Sequence, residues 1–248
     1  NERRVVDGRS RDNRHRDESR TQHGVDFIRG GARQQQPWAL YVGLTQPHPR
    51  FVGLKQYYDR YYPDQVDMPS VPLEELEGLH EVFQQLRNFK NISTPIPEER
   101  IRRARAGYYA MVSELDEYLG RLWEALEQTG QLENTIFIYT SDHGESLGDH
   151  GLWLKNNVYD VAARVPLVMA GGGLPEGKVV DTPVGHVDVV ATMLELAGAK
   201  GHQALRGYSL LPLMEGRKGK HPGVAFCETH SEGNATGSYV IRKGDWKY

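Results

Sequence analysis

The chain has 248 residues, 25% of them charged and 38% hydrophobic, with a formal net charge of −3. It is long enough to bury a substantial core in one large domain, or one domain plus a fragment. No apolar run approaches the roughly 20 residues that span a bilayer, the Asn-Glu-Arg-Arg start does not open a signal peptide, and the single Cys227 excludes an intrachain disulfide framework; the compartment stays open.

Residues 1–20 are dense in Arg and Asp and almost free of apolar side chains. They predict an exposed charged connection, because such a stretch cannot offset its ordering entropy by its own burial. Acidic residues interleave throughout, which argues against a basic arm for nucleic acid. From Thr21 to Ala32, Val25, Phe27 and Ile28 suggest a short helix. The Trp38–Leu44 run predicts a buried strand. It is ended by Thr45-Gln-Pro-His-Pro-Arg50, where Pro47 and Pro49 restrict the backbone around His48. On its own that segment is either a rigid turn with an incidental histidine or a site residue at a strand end. Tyr57, Tyr58, Tyr61 and Tyr62 read as packing residues. The acidic, Leu-containing stretch from Val71 to Ile96 predicts one helix. Asn91-Ile-Ser93 and Asn234-Ala-Thr236 fit glycosylation acceptors, triplets that are common by chance.

The longest helix is predicted from Pro97, with Glu98 and Glu99 in a first turn favoured by the helix dipole. Tyr108, Met111, Val112, Leu115, Leu119, Leu122 and Leu126 recur at three- and four-residue steps and form one apolar face; Thr129-Gly130 stops it. The Thr135–Thr140 run then reads as a buried strand of a parallel sheet, and it breaks into Ser141-Asp-His-Gly144. Ligands bind outside the carboxyl ends of strands in open α/β sheets, so chemistry is expected here. Asp142 offers a carboxylate oxygen and His143 an imidazole nitrogen, with Gly144 allowing the turn that aims both at one ion; a helix N-cap at Ser141 or Asp142 is the plainer alternative. A short helix at Asn156–Ala163, a strand at Val165–Met169 and an amphipathic helix at His186–Gly198 follow, with Asp188 read as a cap or surface residue. Val224–Cys227 and Ser238–Arg242 alternate like antiparallel strands, and Gly244–Tyr248 begins another. The fold class is therefore α/β, a central and mostly parallel sheet sandwiched by helices, with the start of a small C-terminal antiparallel sheet. The expected divisions are 1–20, 21–220 and 221–248.

The ordered string Ser141-Asp-His-Gly-Glu145, Gly148-Asp-His-Gly-Leu-Trp-Leu-Lys155 and Arg164-Val-Pro-Leu-Val-Met169 closely resembles the metal- and sulfate-binding segment of the sulfatase family, within the alkaline-phosphatase-like superfamily. Pro47-His-Pro49 after a strand resembles the family segment whose histidine contacts sulfate, and Tyr108–Thr140 and Gly207–Gly216 are also similar. The resemblance covers roughly Trp38 to Tyr248. It implies Asp142 and His143 as ligands of one divalent ion: calcium, manganese or magnesium. It implies Lys155 and His48 as catalytic, sulfate-binding residues in the same pocket, with Asp149, His150 and Arg164 as further candidates. Many sulfatases carry asparagine where His143 stands. The nitrogen donor moves preference toward manganese or zinc and is similar to the choline-sulfatase and phosphonate-monoester-hydrolase branch.

The implied activity is metal-dependent hydrolysis of sulfate esters, on a small molecule or a sulfated sugar. Phosphodiester or phosphonate monoester hydrolysis is one alternative, and a non-catalytic metal-binding or interaction module is the other. The family nucleophile is a cysteine, oxidised to formylglycine, within Cys-x-Pro-x-Arg, and a pair of aspartates near the start completes the metal site. Neither is present, and Cys227, in Phe-Cys-Glu-Thr, does not match. The expectation is that this chain is the middle and later part of an enzyme and is inactive alone. Two-zinc members of the superfamily use further ligands; His186, His202, His221 and His230 lie in no matching motif.

Overall fold

The computed structural model of the chain describes residues 11–30, 36–71, 78–199, 205–230, 233 and 236–248. In chain order the elements are α1 (Arg11–Arg29), α2 (Lys55–Tyr61), α3 (Glu81–Phe89), α4 (Glu98–Gln128), β1 (Ile136–Thr140), α5 (Asp160–Ala163), β2 (Leu167–Gly171), α6 (His186–Leu196), α7 (Leu211–Met214), β3 (Val224–Thr229), β4 (Ser238–Lys243) and β5 (Trp246–Lys247). The chain divides into two compact units. One gathers the described residues of Asn1–Gly78, Asn91–Ile136 and Ser146–Leu154, the other those of Leu79–Lys90, Phe137–Glu145 and Lys155–Tyr248.

The first unit is built on α4. Pro97 caps it, Glu98 and Glu99 open it, and each pairs one turn on, Glu98 with Arg102 at 2.6 Å and Glu99 with Arg103 at 2.7 Å. It closes at Thr129, whose hydroxyl donates to Ala125 O, followed by left-handed Gly130. Met111, Leu115, Tyr118, Leu122 and Leu126 are buried, as are the small Ala106, Ala110 and Ala125 between them. Val112, expected on that face, is exposed.

Helix α1 starts within the stretch expected to be an exposed connection, and residues 1–10 of that stretch and Ala32 lie outside the described residues. Its charges are matched by α4. Arg14 pairs with Glu114, Glu18 with Arg121 and Arg29 with Gln128, so the two helices run side by side in the same direction. Val25 and Ile28 are buried, and Gly24 lets Leu122 and Val42 come within van der Waals reach of the backbone. The tyrosines of α2 pack as expected: Tyr57 and Tyr58 join Val66, Ala106 and Ala110 in one core cluster, flanked by Tyr61, Tyr62 and Tyr109.

Trp38–Leu44 differs from its expectation. It is extended, with Trp38, Leu40 and Val42 half-buried and Ala39 and Tyr41 exposed, yet it carries no sheet ladder among the described residues. Composition sets the alternation of faces, but a strand also needs a partner to take its backbone hydrogen bonds.

In the second unit β1 and β2 pair in a two-stranded sheet. The Thr135–Thr140 run was expected to be buried, but β1 is half-buried with Thr140 exposed, and on β2 Val168 is exposed. The expected Val165–Met169 strand begins two residues later, because Pro166 has no N–H to give to a ladder. The helix expected over Val71–Ile96 reduces to α3, with residues 72–77 outside the described set, and the one expected over Asn156–Ala163 reduces to α5. Helix α6 keeps its predicted start and ends just ahead of left-handed Gly198. Strands β3, β4 and β5 form an antiparallel sheet with Phe226 opposite Ile241 and Lys243 opposite Trp246. No helix among the described residues is long and apolar enough to cross a membrane.

Candidate metal and anion site

Strand β1 ends at Thr140, whose hydroxyl donates to Pro166 O at 2.9 Å. The chain then turns at once. Ser141 Oγ donates to His143 O at 2.8 Å, and the His143 amide donates to Asp142 Oδ1 at 3.0 Å. The loop is held from two sides. His186 Nε2, in the first turn of α6, donates to Ser141 O at 2.8 Å, while the Gly144 and Glu145 amides donate to the carbonyls of Ala162 and Val161 on α5. Gly144 serves this approach rather than an unusual turn. A Cβ there would lie 2.1 Å from Val161 O, so no other residue fits the contact.

Of the two side chains on this anchored backbone, Asp142 is 85% exposed and His143 30%. His143 Nδ1 lies 2.8 Å from Gly144 O. A carbonyl only accepts, so Nδ1 carries a proton, and a ring that binds a metal ion does so through the Nε2 lone pair. Nε2 is 3.5 Å from Asp142 Oδ2. Two lone pairs at this separation repel unless a proton or a cation lies against both. Adjacent ligands of a divalent ion, each ~2.1–2.4 Å from it, sit roughly 3.0–3.5 Å apart, so the pair fits one edge of a coordination shell. Among the described residues no group of three or more His, Cys, Asp or Glu converges to complete such a shell.

Lys155, half-buried, belongs to the same unit as Asp142 and His143, whereas His48 belongs to the other. His48 sits in a turn closed by its own amide donating to Thr45 O at 2.9 Å, and its Nδ1 donates to Pro49 O at 2.9 Å. Asp149 is a buried anchor. Its Oδ1 accepts from the Ser70 amide and hydroxyl, both at 2.7 Å, and Arg105 lies 3.6 Å from its Oδ2 while donating to Leu147 O. These contacts fix the Leu147–His150 loop within the first unit.

Sequence reasoning missed several supporting groups. Asp188 was read as a cap or surface residue; it is a cap, accepting from the Gly185 amide at 2.8 Å, but it is buried. It also accepts from the Tyr208 amide at 2.8 Å and from His221 Nε2 at 3.3 Å, the ring being fixed by the Gly223 amide donating to its Nδ1. Glu114 had a signal, since it interrupts the apolar stripe between Met111 and Tyr118. Asp17 had none within its charge-dense stretch. His202 and Asn234 lie outside the described residues.

A family model described as Sulfatase matches residues 2–199. The choline-sulfatase of Rhizobium meliloti (strain 1021) is 34% identical over 220 residues, covering 86% of this chain and 42% of that protein. Arylsulfatase K of Homo sapiens is 33% identical over 252 residues, covering 94% of this chain and 47% of that protein. The chain thus spans about half the length of the curated relatives it matches. Among solved structures, a phosphonate monoester hydrolase from Silicibacter pomeroyi superposes with a TM-score of 0.81 at 25% identity, over 94% of this chain and 51% of that one.

Proposed function

The chain belongs to the sulfatase family, and from that premise we propose that it supplies the metal- and anion-binding part of a sulfuric-ester hydrolase acting on a sulfated small molecule or sugar. The observation that carries the proposal is the placement of His143, whose Nδ1 is committed to Gly144 O and whose Nε2 lies 3.5 Å from the Asp142 carboxylate. These two residues would hold a divalent ion, calcium, manganese or magnesium, which when bound polarises a sulfuryl oxygen and offsets charge on the group being transferred. Lys155 adds a compact positive charge for the anionic oxygens. His48 has its Nδ1 proton committed to Pro49 O, so it can donate to an anion only from a protonated Nε2, bringing charge and donor together.

Cys227 is unsuited to act as the nucleophile. It lies on β3, and burial pushes its thiol above the usual range, whereas a nucleophilic cysteine needs its thiolate favoured. The proposal therefore gives this chain the binding groups and leaves the nucleophile unassigned. It also keeps β1 and β2 in a mostly parallel sheet, with β1 delivering Ser141–Gly144 at its carboxyl end.

A second reading, phosphonate monoester or phosphodiester hydrolysis, is favoured by the nitrogen donor of His143 and by the likeness to the Silicibacter pomeroyi structure. The test has two arms. Mn²⁺ binding to the 248-residue chain, followed by electron paramagnetic resonance, should weaken about tenfold or more in Asp142→Ala and in His143→Ala. Equal affinity in both variants and the parent chain would remove the metal assignment. An aryl sulfate, an aryl phosphodiester and an aryl phosphonate should show no turnover with this chain alone; turnover of any one, abolished by Asp142→Ala, would identify a complete site and its substrate class.

A further inference from the structure

We infer that Asp17 and Glu114, acting through Gln46, are positioning residues for His48; the inference rests on the proposal that His48 meets the anion. Asp17 is fully buried on α1. Both of its carboxylate oxygens lie 2.9 Å from the Thr45 amide, and Oδ2 also accepts from the Gln46 amide at 2.8 Å. Two successive backbone N–H groups aimed at one carboxylate fix the orientation of the Thr45–Gln46 peptide. Arg20 completes the grip, donating to Asp17 Oδ1 and to Thr45 Oγ1. Glu114, 2% exposed on α4, holds the next link. Its Oε2 accepts from Gln46 Nε2 at 2.9 Å, while Arg14 and Tyr118 donate to Oε1. The turn thus fixed is the one closed by the His48 amide on Thr45 O, three residues before the imidazole.

Gln46 carries a second sign of constraint. Its Oε1 is buried and has no hydrogen-bond partner among the described residues. The amide cannot be reversed to satisfy it, because that would set Oε1 against a Glu114 oxygen. A buried acceptor left unsatisfied is costly and rare. Here it persists beside two buried carboxylates, a combination suited to holding a short turn in one place. The helices supply the reference frame: α1 and α4 are tied by Arg14–Glu114 at 2.6 Å, so the packing of one helix on the other sets where His48 sits.

The test uses the 248-residue chain with inorganic sulfate as the probe, read by ¹⁵N signals of the His48 imidazole and by amide exchange at Thr45, Gln46 and His48. Asp17→Asn and Gln46→Met should lower amide protection at these residues about tenfold, broaden the His48 signals and weaken sulfate about tenfold. Glu114→Ala should loosen the turn in the same way, whereas Glu114→Gln retains an acceptor for Gln46 and should keep near-parental behaviour, a difference that a generic stability role does not predict. Thermal unfolding of each variant separates loosening of the turn from loss of the fold, and Gln46→Met, which leaves both buried carboxylates in place, serves if Asp17→Asn fails to fold. If His48→Ala leaves sulfate affinity unchanged while Asp17→Asn still loosens the turn, the positioning stands and the anion-site reading falls. Unchanged His48 signals and amide protection in both Asp17→Asn and Gln46→Met overturn the inference.

Discussion

At the scale of single residues, the site is organised by where backbone is held and side chains are released. Asp142 and His143 project from a loop whose Ser141, Gly144 and Glu145 main-chain groups are all engaged. Gly144→Ala should therefore act at a distance of two residues. The added methyl has to displace the Val161 carbonyl, a strain of about 1–3 kcal/mol, and the expected result is a lowered unfolding midpoint together with Mn²⁺ binding weakened beyond what stability alone explains. Parental Mn²⁺ affinity in a destabilised Gly144→Ala chain would show that the pinning of the loop does not matter to its ligands. His186→Gln, which keeps a donor at the reach of Nε2, should preserve Mn²⁺ binding, whereas His186→Ala should weaken it about tenfold; equal affinities would remove His186 from the account.

Among the elements, α4 carries the first unit. Leu122 is 4% exposed and reaches the backbone at Gly24 of α1. Leu122→Ala should cost about 2–5 kcal/mol, measured by urea unfolding, because two helices packed at a glycine cannot collapse further into the void. A loss of under about 1 kcal/mol would mean that α1 adjusts freely on α4. The helix-scale reading of the sequence was sound where periodicity is long and capped, as in α4, with Pro97, Glu98, Glu99 and Gly130 marking both ends. It missed the first half of α1. There the stabilising partners, Glu114 and Arg121, lie about a hundred residues away, and a local window sees only unpaired charge.

For the whole molecule, titration gives the broadest test. Burial pushes Tyr58 and Tyr109 up to about 12, with hydrogen bonding to Asp67 adding to the effect at Tyr109. Their neutral forms are favoured in the fold, so this contribution is complete below the unfolded tyrosine value near 10 and is lost as pH rises from there to about 12. On the acid side, burial opposes ionisation of Asp67, but the hydrogen bond from Tyr109 and the charge of Arg105 outweigh it and hold the carboxyl low; the Lys247 hydrogen bond does the same for Asp160. Their contribution is present above the unfolded carboxylate value near 3.9 and disappears as pH falls through the lowered folded values. Both carboxylates are largely exposed, so each pair is worth at most about 1 kcal/mol and the alkaline loss should be the larger. Circular dichroism against pH, with phenolate absorbance followed in parallel, should show the ionisation of Tyr58 and Tyr109 and unfolding together. Exposed tyrosines such as Tyr41 and Tyr248 add phenolate signal of their own, so the contributions of Tyr58 and Tyr109 are read by difference from Tyr58→Phe and Tyr109→Phe. Loss of a phenolate signal at about pH 10 in either variant, with the fold intact, would contradict the raised values.

The sequence by itself determined what is local or ordered along the chain. It contained α4 and its caps, the β1 run that breaks into Ser141–Gly144, the start of α6, the β3–β4 hairpin, and the string of motifs that marks the family. Such features follow from periodicity, capping and chemistry within a few residues. Tertiary structure decided the rest, because burial and hydrogen bonding depend on partners that no local window contains. It left Trp38–Leu44 extended but unladdered, put Asp17 and Glu114 under the His48 turn, and made Gly144 a point of contact with α5. It also fixed the proton of His143 on Nδ1, since only the folded backbone brings Gly144 O within 2.8 Å of that nitrogen.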